Sequence, residues 1–248
     1  MKRHKARIYQ SDDMYIGANI KLDIRNTYYC IKVMRLKCGD QIVIFNDINE
    51  WIASLLSISK REVLLQIKKP TGKKNVSNGV SLFISVVKEK SMKIALRQCV
   101  ELGVDNIIPV LTEYNVAMFN AQRSAMHIIE ACEQSGRLSI PKLLQATTFL
   151  ELINSTIFNK HTVIWCYEHV KKTMTKVNSI IESSEQIGVL IGPEAGFSNT
   201  EASMLKQKKN VIEVGLGSNI LRADTAATTA LSCVLFLKKQ WQEPKVLE

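Results

Sequence analysis

No two of the six cysteines form a C-x-x-C pair, and the four histidines show no metal-ligand spacing. This argues against a zinc site or a redox dithiol; most of the thiols fall in apolar runs, where free cysteine behaves as a small buried hydrophobe. No apolar run reaches the roughly 20 residues that span a bilayer. The longest, Ala226 to Leu237, is shorter, contains Thr and Ser, and reads as a buried helix. The basic start, Met1-Lys2-Arg3-His4-Lys5-Ala6-Arg7, is followed by no apolar core, so no secretory signal is read and the cytoplasm is the expected compartment. No G-x-G-x-x-G opens a helix, which argues against a dinucleotide-binding dehydrogenase. Repeats and low-complexity segments are also missing.

What is scarce in the first third is negative charge. Residues 1–75 hold 15 Lys+Arg against 7 Asp+Glu, a net of +8, and the other 173 residues hold 18 against 16, a net of +2. Nearly all of the chain's +10 therefore sits in one segment. Such asymmetry points to a module that binds a polyanion, because neutralising phosphates supplies most non-specific nucleic-acid affinity. The plainer alternative is a solvated basic surface. An anionic membrane surface would call for an amphipathic anchor.

The same segment reads as short strands. Gln41 to Phe45, Trp51 to Leu56 and Glu62 to Ile67 alternate with polar turns, and one helical stretch runs near Asn26 to Met34, which suggests a small β-barrel. Pro70 to Gly79 is polar and turn-rich and makes the expected boundary. After it the rhythm changes to βαβα. Strands are expected at Ser81–Val87, Asn106–Leu111, Thr162–Tyr167, Ile187–Ile191 and Val211–Leu216. Helices are expected at Met92–Leu102 (ending on Gly103), Ala121–Ser135, Lys171–Ser183, from Ser198 to about Lys209, and from a cap at Asp224 or Thr225 to about Gln240. Pro109 puts its strand near an edge or bend. The fold class is α/β: a mostly parallel sheet with helices on both faces.

Two segments carry the chemistry. Ile191-Gly192-Pro193-Glu194-Ala195-Gly196-Phe197-Ser198 and Leu216-Gly217-Ser218-Asn219-Ile220-Leu221-Arg222-Ala223-Asp224-Thr225-Ala226 each leave a strand and turn on glycine before a helix. Without a Cβ, backbone N–H and C=O groups can approach a ligand closely. Side by side, the two loops would line a pocket with main chain at one end of a sheet.

These runs resemble the closing motifs of the SPOUT class of RNA methyltransferases, and most of all the ribosomal RNA small-subunit methyltransferase E family, whose pattern reads GPEGGFs…E and then LG.rILR.ETA. The likeness continues in Met34-Arg35-Leu36-Lys37-Cys38-Gly39-Asp40, Glu101-Leu102-Gly103-Val104, and Glu130 to Arg137 with Pro141. It implies a PUA-like β-barrel domain over residues 1–72 and a SPOUT domain over residues 78–248 with a trefoil knot. It also implies a homodimer, S-adenosylmethionine as methyl donor, and N3 of a uridine in 16S ribosomal RNA of the small subunit as acceptor.

The resemblance assigns the donor pocket to Tyr167, Glu168, Ile191, Gly192, Pro193, Glu194, Gly196, Leu216, Gly217, Ile220 and Leu221. Arg222 is the candidate catalytic cation, opposite the anion that forms when uracil N3 loses its proton; its structural alternative is an ion pair with Asp224 or Glu194. Glu168 and Glu194 could accept a proton or a donor hydrogen bond, or simply cap a helix, and the general base is not assigned. Phe197 is read as packing. Arg7, Lys32, Arg35, Lys37, Arg123 and Arg137 form the expected RNA-binding set; no metal and no membrane are expected. The chain departs from the family pattern at Ala195 (usually Gly), Asp224 (usually Glu), Gln98 (often Lys), Tyr114 (often Arg) and Tyr28-Tyr29 (a His is common). Two other readings stay open: a SPOUT enzyme acting on another site such as a ribose 2′-OH, and a catalytically silent ribosome-assembly factor.

Overall fold

The computed structural model describes residues 6–73, 77–170 and 173–238. The expected helix start at Lys171, the helix end at Gln240, the first five basic-start residues and the middle of the Pro70–Gly79 linker lie outside them. The chain divides into two compact units. One holds the described residues up to 73 together with Cys132–Ile140; the other holds Ser77–Ala131 and the chain from Pro141.

The first unit contains β1 (Arg7–Tyr9), β2 (Asn19–Lys21), α1 (Ile24–Tyr28), β3 (Gln41–Phe45), β4 (Asn49–Ile58) and β5 (Val63–Lys73). The sheet order is β1-β3-β4-β5-β2, parallel only between β1 and β3. Alternation decides its core: Ile42 and Ile44 of β3, Leu65 and Ile67 of β5, and Ile8 of β1 are buried together. Two expectations are corrected here. The helical stretch begins at Ile24, capped by Asp23, whose side chain accepts from the Asn26 N–H, and it becomes a π-turn over Tyr29–Val33. Pro70 belongs to β5 rather than to a linker. It pairs with Trp51 of β4, while β2 covers the other edge of β5 no further than Gln66, so Pro70 has a strand partner on one side only, the usual setting for a proline within a sheet.

The second unit runs β6 (Val80–Ser85), α2 (Glu89–Leu102), β7 (Asn106–Leu111), α3 (Ala121–Ser135, its last turn counted with the first unit), β8 (Lys142–Leu143), β9 (Thr147–Thr148), α4 (Phe149–Asn154) and α5 (Thr156–Lys160). It continues with β10 (Thr162–Cys166), α6 (Asn178–Ser183), β11 (Ile187–Ile191), α7 (Asn199–Lys206), β12 (Val211–Val214) and α8 (Ala223–Leu237). The order β12-β10-β11-β6-β7-β8, with β9 also on β7, is parallel throughout. Every residue of β6 and β11 is buried, as expected when helices cover both faces. One face packs Phe83, Trp165 and Leu190 against Phe149, Leu152, Ala202 and Leu205 of α4 and α7. The other is covered by α8 and α2, which pack on each other; α8 buries Ala223, Ala227, Ala230, Leu231, Val234 and Leu235, and its Thr228 hydroxyl donates to Gln98 of α2 at 2.8 Å. A methyl at Gly188 would overlap the Phe83 ring, so the aromatic core of the first face requires that glycine. Pro109 sits where β7 is paired by neither β8 nor β9, which bond Asn106–Ile107 and Val110–Leu111. Helix α2 ends on Gly103 at φ 106, in the left-handed region.

Candidate active site

Strands β11 and β12 flank β10 on opposite sides, so the chain leaving β11 must pass over β10 before it re-enters the sheet as β12. A reversal of this kind opens a crevice beyond the carboxyl ends of parallel strands. The loops after all three strands meet there around a cleft of about 200 Å³. All eleven residues assigned to a donor pocket line it: Tyr167, Glu168, Ile191, Gly192, Pro193, Glu194, Gly196, Leu216, Gly217, Ile220 and Leu221.

Local conformation explains the loops. Gly196 has φ 74, and its N–H donates to the Pro193 carbonyl at 2.9 Å, closing a tight turn. Gly217 has φ 125, a backbone conformation that L side chains rarely adopt. At Gly192 a Cβ would press on the Phe197 ring at 3.0 Å; Phe197 in turn meets Phe149 and Trp165 edge-on or tilted, at 5.8 and 5.9 Å between centroids. Phe197 thus packs as expected while also walling the cleft. Tyr167 stacks on Trp165 at 4.4 Å and 17°, and His169 meets Tyr167 at right angles, 5.2 Å away.

The first loop joins its helix through a capping box. Ser198 Oγ accepts from the Glu201 N–H at 3.2 Å, and Glu201 Oε2 accepts from the Ser198 N–H at 2.9 Å. The second oxygen, Oε1, accepts from the Glu113 N–H at 2.9 Å, so one buried carboxylate ties the cleft loop to the loop after β7. The sequence shows the box but not this second bond. Helix α8 corrects the sequence reading: its N-cap is Arg222, whose side chain makes no capping bond, and Asp224 lies in the first turn.

The electrostatics are mixed. The N-terminal ends of α7 and α8 both reach the cleft, through Asn199 and Ala223, and their unpaired N–H groups favour negative charge. Glu168 and Glu194, both exposed, offer the opposite sign at the same cleft. Cys166, His169, Asn199, Ser218 and Asn219 also line it and were not assigned, although all but Asn199 adjoin an assigned residue. Burial pushes the Cys166 thiol up to about 12, so it is protonated at neutral pH and is not a nucleophile. Arg222 does not line the cleft, although its neighbours Leu221 and Ala223 do. It is exposed, and among the described residues it makes no ion pair with Asp224 or Glu194.

The expected RNA-binding set does not stay together as one class. Lys32, Arg35 and Lys37 are exposed. Arg123 is half exposed and pairs with Glu89 at 2.6 Å. Arg7 is engaged within its own unit: its guanidinium donates to Glu50 at 2.7 Å and to the carbonyls of Cys132 and Arg137 at 2.6 and 3.0 Å, and it lies 3.6 Å over the Phe45 ring. Arg137 is engaged as well: it is buried and donates to Ser139 at 3.0 Å. Arg7→Ala should therefore cost about 2–3 kcal/mol in urea unfolding, since two carbonyls and a carboxylate lose a charged donor. It should leave the salt dependence of RNA binding unchanged. Unchanged stability with a shallower salt slope would return Arg7 to the RNA face.

A family model described as RNA methyltransferase domain matches residues 74–235, and one described as RNA methyltransferase PUA domain matches residues 26–68. Ribosomal RNA small subunit methyltransferase E of Rickettsia conorii is 31% identical over 242 residues, covering 96% of this chain and 98% of that protein. A putative methyltransferase from Legionella pneumophila, solved in complex with the bound cofactor SAM, superposes with a TM-score of 0.84 at 26% identity, over 94% of this chain and 98% of that one. The Neisseria gonorrhoeae ribosomal RNA small subunit methyltransferase E, bound to S-adenosyl methionine, has the same fold, with a TM-score of 0.83 at 24% identity over 94% and 98% of the two chains. By the extent of these matches and by the paired glycine loops, this chain belongs to the ribosomal RNA small subunit methyltransferase E family.

Proposed function

We propose that the chain is an S-adenosylmethionine-dependent methyltransferase, acting in the cytoplasm on N3 of a uridine in 16S ribosomal RNA of the small subunit. The observation that carries this is the cleft itself: two glycine-turned loops, two helix N-termini and two carboxylates around about 200 Å³. Such a set fits a zwitterionic nucleoside. Helix N-termini suit its carboxylate, Glu168 and Glu194 suit its ammonium and ribose hydroxyls, and loop main chain from Ile191 to Gly196 and Leu216 to Leu221 suits its adenine edge. When bound, the donor supplies an electrophilic methyl on a positive sulfur. The reading also includes a trefoil knot through these loops and a homodimer, both carried by the family resemblance.

Methyl transfer would form an N3–C bond as the C–S bond breaks, releasing the demethylated donor, and the N3 proton must pass to water or to a carboxylate such as Glu168 or Glu194, because the lone pair of a neutral imide nitrogen is delocalised into its carbonyls. The chain's own contribution is orientation and charge. Holding the uracil in line with the methyl supplies much of the rate, and Arg222 stabilises the negative charge that grows on the pyrimidine oxygens. Its guanidinium is not committed to any ion pair among the described residues, which supports that use.

The test is to incubate the protein with the donor and small ribosomal subunits, then map the modified RNA by mass spectrometry. A methyl on uracil N3 is expected. A methyl on ribose would sink the N3 assignment in favour of a 2′-O enzyme, and RNA binding with no methyl transfer would favour an assembly factor. RNA affinity should also fall linearly on a log–log plot against salt. Replacing Lys32, Arg35 and Lys37 together with Gln should make that slope shallower by about 2, at ~0.7 per phosphate contact on single strands. An unchanged slope would remove this cluster from the RNA face.

A further inference from the structure

The outer face of α1 and the π-turn that extends it is unusual for a surface helix. Asn26, Thr27 and Cys30 are buried and Tyr29, Ile31 and Met34 pack against the core of the first unit. Between and beyond these, Ile24, Tyr28 and Val33 are left at 88%, 62% and 57% exposure, interleaved with the exposed Lys32 and Arg35. Single exposed apolar residues are ordinary, but three within ten residues, beside cations, are not. Tyr28 makes no hydrogen bond through its hydroxyl and no ring contact among the described residues, whereas its neighbour Tyr29 faces inward. The backbone on this face is also unusual. The Met34 N–H reaches back five residues to the Tyr29 carbonyl, and Arg35 is the only non-glycine at positive φ, +50, among the described residues. Such turns and such strain recur at functional sites. Here they hold Arg35 outward while Leu36 is buried.

We propose that Tyr28 is a stacking platform for an unpaired RNA base, with Lys32 and Arg35 holding the adjoining phosphates. The proposal rests on the reading of the chain as an RNA-acting enzyme and adds how that RNA is gripped. A phenol ring accepts any base on its π-face, and flanking cations track the backbone; together they make the usual chemistry of single-strand recognition. Duplex RNA offers no exposed base face, so the surface selects unpaired RNA. The basic segment around it favours this polyanion over a second, equally basic copy of the chain.

The experiment uses the full-length protein and a single-stranded RNA carrying 2-aminopurine, whose fluorescence is quenched when it stacks on an aromatic ring. Tyr28→Ala should weaken single-strand affinity by about 5- to 150-fold, the range for losing one base–aromatic stack. It should abolish the quench and leave the salt slope unchanged; Tyr28→Phe should restore both affinity and quench. Duplex affinity and S-adenosylmethionine affinity should not move. Tyr28→Ala binding as tightly as the parent protein, or losing single-strand and duplex affinity equally, would overturn the proposal. A change in sedimentation mass with unchanged RNA affinity would overturn it in favour of a protein interface. Failure of the parent protein to bind any RNA would overturn the enzymatic reading and this proposal together, whereas RNA binding indifferent to Tyr28 overturns the proposal alone.

Discussion

Arg222→Ala should lower single-turnover methyl transfer by roughly a hundred- to a thousand-fold while changing donor and RNA affinity little. A charge that grows along the reaction is felt mainly in the transition state. Losing one preorganised contact to it typically costs about 2.7–4 kcal/mol. The structural alternative is testable on the same variant. Arg222 makes no capping bond with its side chain and no ion pair among the described residues, and it is exposed. Its removal should therefore stay within about 0.5 kcal/mol in stability, as surface substitutions do. Arg222→Lys should recover part of the rate, because an ammonium lacks the planar fork of guanidinium donors. A stable Ala variant with near-normal turnover would end the catalytic role. A Tm drop that accounts for the lost activity would hand the residue to structure instead.

Gly217→Val should abolish S-adenosylmethionine binding in calorimetry, an effect larger than strain alone can produce. At φ 125 any side chain is strained, by an amount on the order of 1–3 kcal/mol. A Cβ there meets no protein atom within 4 Å, so the branched side chain would project into open space at the residue that lines the cleft. Gly17 separates the two effects. It has φ 88 and equally open surroundings but lies in the other unit. Gly17→Val should lower stability to a similar degree and leave donor affinity intact. A folded Gly217→Val protein that binds donor with parental affinity would exclude this loop from the pocket.

Some of this molecule could be read without coordinates because the determining interactions are local. The strand limits Gln41–Phe45, Asn106–Leu111 and Ile187–Ile191 and the helix Ala121–Ser135 follow from apolar period and flanking breakers. The Ser198–Glu201 capping box follows from two residues three apart. The cleft was equally legible. Its loops announce themselves by glycine at strand ends, and every residue assigned to it from sequence lines it. The tertiary structure alone decided which charges are available. Arg7 and Lys32 look alike in sequence, yet Arg7 is spent on acceptors 43, 125 and 130 residues away, and Lys32 is left in water. The same holds for Arg137, for the second bond of Glu201 across 88 residues, and for the passage of β5 through Pro70, at a point where β2 has already ended. Period and propensity report on neighbours within a few residues. The fate of a charge or an unpaired N–H depends on whichever distant group the fold brings opposite it, since burial is costly without such a partner.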